Sequence, residues 1–178
     1  MPARAGMRRL ANKTPLYVGA GVMSGLLVAQ GLASGSSHSL IFNYAASMPL
    51  GIYQRVPSHT WRHGMVVVIT PSSSDKAFFA ARGWLMKQGV LIKPIGALPG
   101  DQVCIHNDTV TVNDAAVGPV FAKDSHGLPL PVIRGCFVLL QGTVFPFSTY
   151  SAHSFDGRYF GAIPMAQVLG EARPVWVF

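Results

Sequence analysis

No Asp, Glu, Lys or Arg occurs from Thr14 to Gln54. Inside that stretch lies LYVGAGVMSGLLVAQGLA, residues 16–33, an 18-residue apolar run interrupted by one amide, Gln30. An uncharged run of this length suits a short membrane-spanning helix, for which ~17–25 residues at 1.5 Å per residue match the bilayer core. The sequence therefore predicts one N-terminal transmembrane helix over residues 14–35. Arg4, Arg8, Arg9 and Lys13 precede it. A basic flank predicts a cytoplasmic tail over residues 1–13 and places residues 36–178 across the membrane. A cleaved signal peptide is the alternative, with Gly31-Leu32-Ala33 as a small-x-small cleavage site.

Charge supports this division. Charged residues are 12% of the chain, about half the usual share in soluble domains. The net charge is +7, of which the first thirteen residues supply +4. No basic cluster with interleaved aromatics occurs in the remainder, which argues against nucleic acid as a partner.

Beyond the anchor the patterns are those of strands. GMVVVI (64–69) is β-branched and reads as a buried strand. Asp75 to Gln88 reads as a helix, with Ser74 as its cap, Phe78, Ala81 and Leu85 on one face, and Gly89 as its stop. VLIKPI (90–95) is a strand carrying one lysine, and GALPGD (96–101) a turn. QVCIHNDTVTVNDAAV (102–117) gives short strands with turns at Asn107-Asp108 and Asn113-Asp114. GCFVLLQG (135–142) and RPVWVF (173–178) complete the set. The expected fold class is mainly β, an antiparallel domain with one or two short helices behind one transmembrane helix. Cys104 and Cys136 both fall in strand-like runs. A cross-strand bridge and two buried thiols are both compatible with that.

Two residues carry candidate chemistry. Ser47, in SMPLGIY (47–53), needs a base to act as a nucleophile, because a hydroxyl is scarcely ionised at neutral pH. Lys93 is the only charged residue between Lys87 and Asp101. Burial in an apolar strand lowers an ammonium pKa and makes lysine a competent base. A lysine snorkelling at a strand end is the plainer account of Lys93 alone. Other constellations are thinner. SSDK (73–76) has the S-x-x-K form of penicillin-binding enzymes, but the companion motifs are absent. His59 and His63 have zinc-helix spacing, without a Glu after His59 or an obvious third ligand. His153 adjoins Ser154, with no G-x-S-x-G elbow. Phe145, Phe147, Tyr150, Tyr159 and Phe160 suit core or a membrane-facing rim.

SMPLGIY, LIKPIGALPGD and HSFDGRYFG (153–161) occur in that order behind a single anchor. Together they resemble the signal peptidase I family of membrane-anchored Ser–Lys endopeptidases, and most closely its TraF-like conjugal-transfer branch. The resemblance implies a signal-peptidase-like β domain with Ser47 as nucleophile and Lys93 as general base. Ser154 would orient the lysine, and Asp156 and Arg158 would form a structural ion pair, Asp156 alternatively polarising Lys93 directly. Met48 and Pro49 would shape the turn presenting Ser47, whose N–H donates to the oxyanion. It further implies a bacterial inner-membrane protein with a periplasmic catalytic domain, acting on an exported precursor. A conjugative pilin is the expected substrate, with hydrolysis or cyclisation as the outcome and other conjugation proteins as partners. No metal or organic cofactor is implied. A general leader peptidase and a non-catalytic channel component are the alternatives. The chain departs from the family pattern at Gly157, where serine is typical, at Pro94, where a basic residue is common, and at Ala45, where some relatives carry a second oxyanion hydroxyl. Asn43 or a backbone group would replace that donor, or the oxyanion hole is weaker.

Overall fold

Residues 39–84 and 89–178 are described by this computed structural model. Within them strands dominate, and every pairing between strands is antiparallel. The predicted tail and transmembrane helix lie outside the described residues. Among the described residues no helix is long and apolar enough to cross a membrane.

One sheet contains β1 (Leu40–Asn43), β2 (Gly51–Val56), β3 (Val66–Ile69), β4 (Leu91–Ala97), β9 (Thr143–Pro146), β10 (Ile163–Pro164) and β11 (Val168–Val177). Their order is β1-β2-β11-β3-β4-β9-β10. The second contains β5 (Gln102–His106), β6 (Thr109–Val112), β7 (Ala115–Pro119) and β8 (Gly135–Val138), in the order β7-β6-β5-β8. Val67, Val68 and Ile69 are all buried, so β3 is covered on both faces. That is why its sequence reads as an unbroken β-branched run rather than an alternation.

The second sheet follows its turn residues. Asn107 and Asp108 have φ of 47° and 57°, and Asn113 and Asp114 have 49° and 66°. Positive φ at both central positions of a two-residue loop is the type I′ hairpin, whose twist matches that of its strands and which favours Asn and Asp. Cys104 and Cys136 stand directly opposite each other on β5 and β8 and are joined by a disulfide. The geometry thus selects the bridge from the two readings the sequence allowed.

The predicted helix is shifted. It is α1, Ser73–Ala81, capped by Ser72, whose side chain accepts from the Asp75 N–H at 3.1 Å. Ser74 lies in the first turn instead, because Ser72 already has the extended backbone of a cap. The helix stops at Arg82, ahead of Gly83 at φ 68°. Its buried residue is Phe79; Ala81, expected on the inner face, is exposed. Leu85 and the rest of the predicted end, 85–88, lie outside the described residues. The predicted turn at 96–101 is shorter than expected: Gly96 and Ala97 still belong to β4, and the Asp101 N–H closes the turn on the Leu98 carbonyl at 3.0 Å.

Val103, Ile105, Val110, Phe145, Phe147 and Tyr159 form a core cluster whose members come from both sheets. Tyr150, by contrast, is exposed. A second cluster joins Ile41, Met48, Tyr53, Val68, Ile92 and Ala172. Its member Met48 plugs the connection between β1 and β2 into the core, immediately after Ser47.

Candidate active site

Ser47 lies in the short loop between β1 and β2. The loop is built around Asn43, which is 1% exposed at the end of β1. Its side-chain amide donates to the carbonyls of Ala45, Met48 and Pro49 at 3.1, 3.2 and 2.9 Å, and its Oδ1 accepts from the Ala45 N–H at 3.2 Å. Tyr53 Oη donates to the Pro49 carbonyl at 2.9 Å. Asn43 was one of two expected replacements for the missing oxyanion hydroxyl. Its amide is committed to folding the loop, which leaves a backbone donor or a weaker hole.

Lys93 lies on β4 opposite Val67 of β3, on the strand face it shares with Ile95. It is 4% exposed. Its Nζ donates to Ser154 Oγ at 2.8 Å. Burial brings its pKa down from 10.5 to about 8; the Asp156 carboxylate opposes the shift and Arg158 adds to it. The lysine is buried in mid-strand, which excludes snorkelling.

Asp156 and Arg158 are both fully buried. Arg158 Nε and Nη2 donate to the two carboxylate oxygens at 2.8 and 3.0 Å, a bidentate pair. The remaining guanidinium donors go to the carbonyls of Pro119, Ala152 and Ser148. Asp156 also caps the short helix α2, Gly157–Phe160, and accepts the Ser148 N–H at 3.0 Å. Its hydrogen bonds are thus structural, and its influence on Lys93 is coulombic. The glycine between the pair is sterically required. A Cβ on Gly157 would lie 2.5 Å from the Pro146 carbonyl oxygen and 2.8 Å from the Phe145 ring. Pro94 gives up its N–H but keeps its carbonyl, which accepts from the Phe147 N–H at 3.0 Å.

Ser47, Lys93 and Ser154 line one cavity of about 280 Å³. Phe79, Trp84, Leu91 and Phe155 give it an apolar wall, and Ala45, Ala46, Ser125, Ser151 and His153 complete it. Residues 46 positions apart in sequence therefore line one cavity in which a hydroxyl, a desolvated amine and an apolar surface coexist. That combination suits acyl transfer on a peptide. Of the other candidates, only His153 lines it. Ser73 and Lys76 are exposed on α1, and His63 pairs with Asp101 at 2.6 Å. His153 lines the cavity but stacks on Phe121, with ring centroids 4.5 Å apart. Cys104, His106 and Cys136 lie close enough to share a metal ion, but the two sulfurs are bonded to each other.

Ser148 was not legible as a site residue. It is fully buried, and its hydroxyl donates to the Ser47 carbonyl at 2.6 Å. Nothing in FST (147–149) distinguishes it from an ordinary turn serine.

A buried lysine and a loop serine lining one cavity, on antiparallel sheets, match the arrangement expected of a Ser–Lys peptidase scaffold. The model of the family described as signal peptidase, peptidase S26, matches residues 21–177. The chain belongs to that family, in its TraF-like branch. It is similar to a plasmid transfer protein TraF of Escherichia coli, 31% identical over 88% of this chain and 90% of the relative. It is similar also to a conjugal transfer protein TraF of Agrobacterium fabrum, 33% identical over 88% of this chain and 93% of the relative. Among solved structures, a signal peptidase I from Enterococcus faecalis matches at 16% identity and a TM-score of 0.38, covering 65% of this chain and 98% of that one.

Proposed function

We propose that this chain is a membrane-anchored serine endopeptidase that processes an exported precursor, a conjugative pilin subunit, by a Ser47–Lys93 dyad. The observation that carries the reading is the buried Lys93 amine on the cavity that Ser47 also lines. With a pKa of about 8, a usable fraction of the amine is neutral near the operating pH. Lys93 takes the Ser47 hydroxyl proton as Oγ attacks the scissile carbonyl carbon. The Ser47 N–H, at the turn shaped by Met48 and Pro49, donates to the oxyanion. Collapse of the tetrahedral species breaks the C–N bond, leaves an ester on Ser47, and passes the proton to the departing amine. Water then releases a linear product. Attack by the substrate's own N-terminal amine on the same ester releases a cyclic one. Ser154 orients Lys93 throughout.

The pilin assignment is supported by the relatives, whose names place them in plasmid and conjugal transfer. The inner-membrane location, with a periplasmic catalytic domain, is supported by the apolar run at 16–33 and by an outward aromatic face. Phe42, Ile52 and Trp176 are cross-strand neighbours on β1, β2 and β11, and Phe42 and Trp176 are exposed. Tyr44 and Phe178 extend that face, their rings 6.0 Å from Phe42 and 5.2 Å from Trp176. Exposed aromatics gathered on one face suit the headgroup layer of a membrane.

The experiment is intact mass spectrometry of a co-expressed conjugative pilin precursor with wild type, Ser47→Ala and Lys93→Ala. A lighter product with wild type only is expected. A further loss of one water relative to the linear product identifies cyclisation. An unchanged precursor, or the same change with all three, overturns the reading in favour of a non-catalytic channel component.

A further inference from the structure

The bonds from Asn43 and Tyr53 fall on the carbonyls of residues 45, 48 and 49. The Ser47 carbonyl is instead held by Ser148. Ser148, just after β9, has every polar group engaged. Its N–H donates to Asp156 Oδ2 at 3.0 Å, its carbonyl accepts from Arg158 Nη2 at 2.8 Å, and its hydroxyl donates to the Ser47 carbonyl at 2.6 Å. Further along the same segment, Ser154 Oγ accepts from the Lys93 amine at 2.8 Å.

We propose that Ser148 is a positioning residue for Ser47, tying its backbone to the buried Asp156–Arg158 pair so that segment 148–158 sets both ends of the Ser47–Lys93 pair. The proposal rests on the Ser–Lys reading given above. A carbonyl pinned at this position restrains ψ of Ser47, the torsion beside the Cα that carries Oγ. Ser148 is fully buried, so solvent is poorly placed to replace its hydroxyl. The segment is itself rigid, because Arg158 is bonded to Asp156 and to three carbonyls. The lysine is positioned by one end of this frame and the serine by the other. Their separation is therefore a property of the frame, and a misplacement of about 1 Å between reacting groups costs ~10²-fold in rate.

The test uses the full-length chain in detergent micelles, with p-nitrophenyl acetate as a plain acyl donor and a conjugative pilin precursor as the second substrate. Wild type, Ser47→Ala, Ser148→Ala and Ser148→Thr are compared. Ser148→Ala is expected to lower kcat on both substrates by ~10–10²-fold, with KM and the midpoint of the pH–rate profile unmoved, since the Lys93–Ser154 bond is untouched. Ser148→Thr, which keeps the hydroxyl, should recover part of the loss. Ser47-Met48 is the only Ser–Met peptide in the chain, so the ¹³C carbonyl of Ser47 can be identified by its coupling to ¹⁵N-Met48. That resonance should move in Ser148→Ala and return in Ser148→Thr. A wild type that acylates on neither substrate sinks the Ser–Lys reading and this proposal with it. An active wild type matched by Ser148→Ala, or a rate loss with the Ser47 carbonyl resonance unmoved, overturns the positioning role alone.

Discussion

Lys93 Nζ and Ser154 Oγ are 2.8 Å apart, and both residues are shut off from solvent. The amine is thus fixed by one hydroxyl in a place that disfavours its charge. The rate of precursor processing should rise with pH and level off above an apparent pKa of about 8. Ser154→Ala frees the amine to rotate, and should lower kcat by ~10²-fold. A pH–rate profile of wild type and variant reads both effects.

Holding that amine in the core has a stability cost. Its folded pKa of about 8 lies below the unfolded value near 10.5. Between those values the native state binds fewer protons than the unfolded chain, so stability rises with pH through that window and the contribution is lost again as pH falls to 8. The full change is about 3 kcal/mol. Lys93→Met should therefore be inactive yet more stable than wild type at pH 7, with the advantage shrinking by pH 10. Urea melts at both pH values measure it.

Asp156 and Arg158 form a bidentate pair with no solvent access. Removing one partner leaves a buried charge without compensation, at about 3–5 kcal/mol. Arg158→Met should lower the unfolding free energy by that amount, read as a lower urea midpoint at unchanged slope. Gly157→Ser, which restores the triplet typical of the family, should also destabilise, because the space beside the Pro146 carbonyl is already filled.

The disulfide crosses from β5 to β8 over a separation of 32 residues. Its loss in a Cys104→Ser/Cys136→Ser double variant should cost about 2–4 kcal/mol. Thermal melting of that variant, and of wild type with and without a thiol reductant, gives the comparison.

If the aromatic face meets lipid, brominated acyl chains should quench Trp176. Full-length protein in vesicles of brominated phosphatidylcholine should show a quenched emission component, and Trp176→Phe should lack it. Equal quenching in both proteins removes the support this face gives to the membrane reading.

What the sequence made legible was governed by chemistry that is local. The I′ turns at Asn107-Asp108 and Asn113-Asp114 announce themselves, because few residues tolerate positive φ. Val66 to Ile69 are β-branched for a strand with both faces covered. Lys93 stands out because a charge in an apolar run has to be accounted for. β1, β2 and β9 are harder to see. Four residues such as Leu40 to Asn43 follow a long uncharged stretch, where alternation carries little contrast. The cap of α1 was misread because Ser72, Ser73 and Ser74 are equivalent by type, and only backbone geometry separates them. Asn43, expected as an oxyanion donor rather than a loop brace, was misread, and Ser148 was invisible, for a different reason. Their roles are to bond particular carbonyls, and a carbonyl has no letter in the sequence.

β11 follows every other strand in the chain, yet it lies between β2 and β3, near the middle of its sheet. The loop bearing Ser47 leads directly into β2, whose outer neighbour is β1 and whose inner neighbour is β11. Until β11 is threaded into place, β2 and β3 have no partner along those edges. The early strands must wait through roughly a hundred residues of later chain, a non-local closure of the kind that makes β folds slow. A chain without β11 in place therefore leaves the loop bearing Ser47 and the strand bearing Lys93 without the strand that joins β2 to β3. The loop of Ser47 and the strand of Lys93 take up their relative places only once β11 has paired with both β2 and β3.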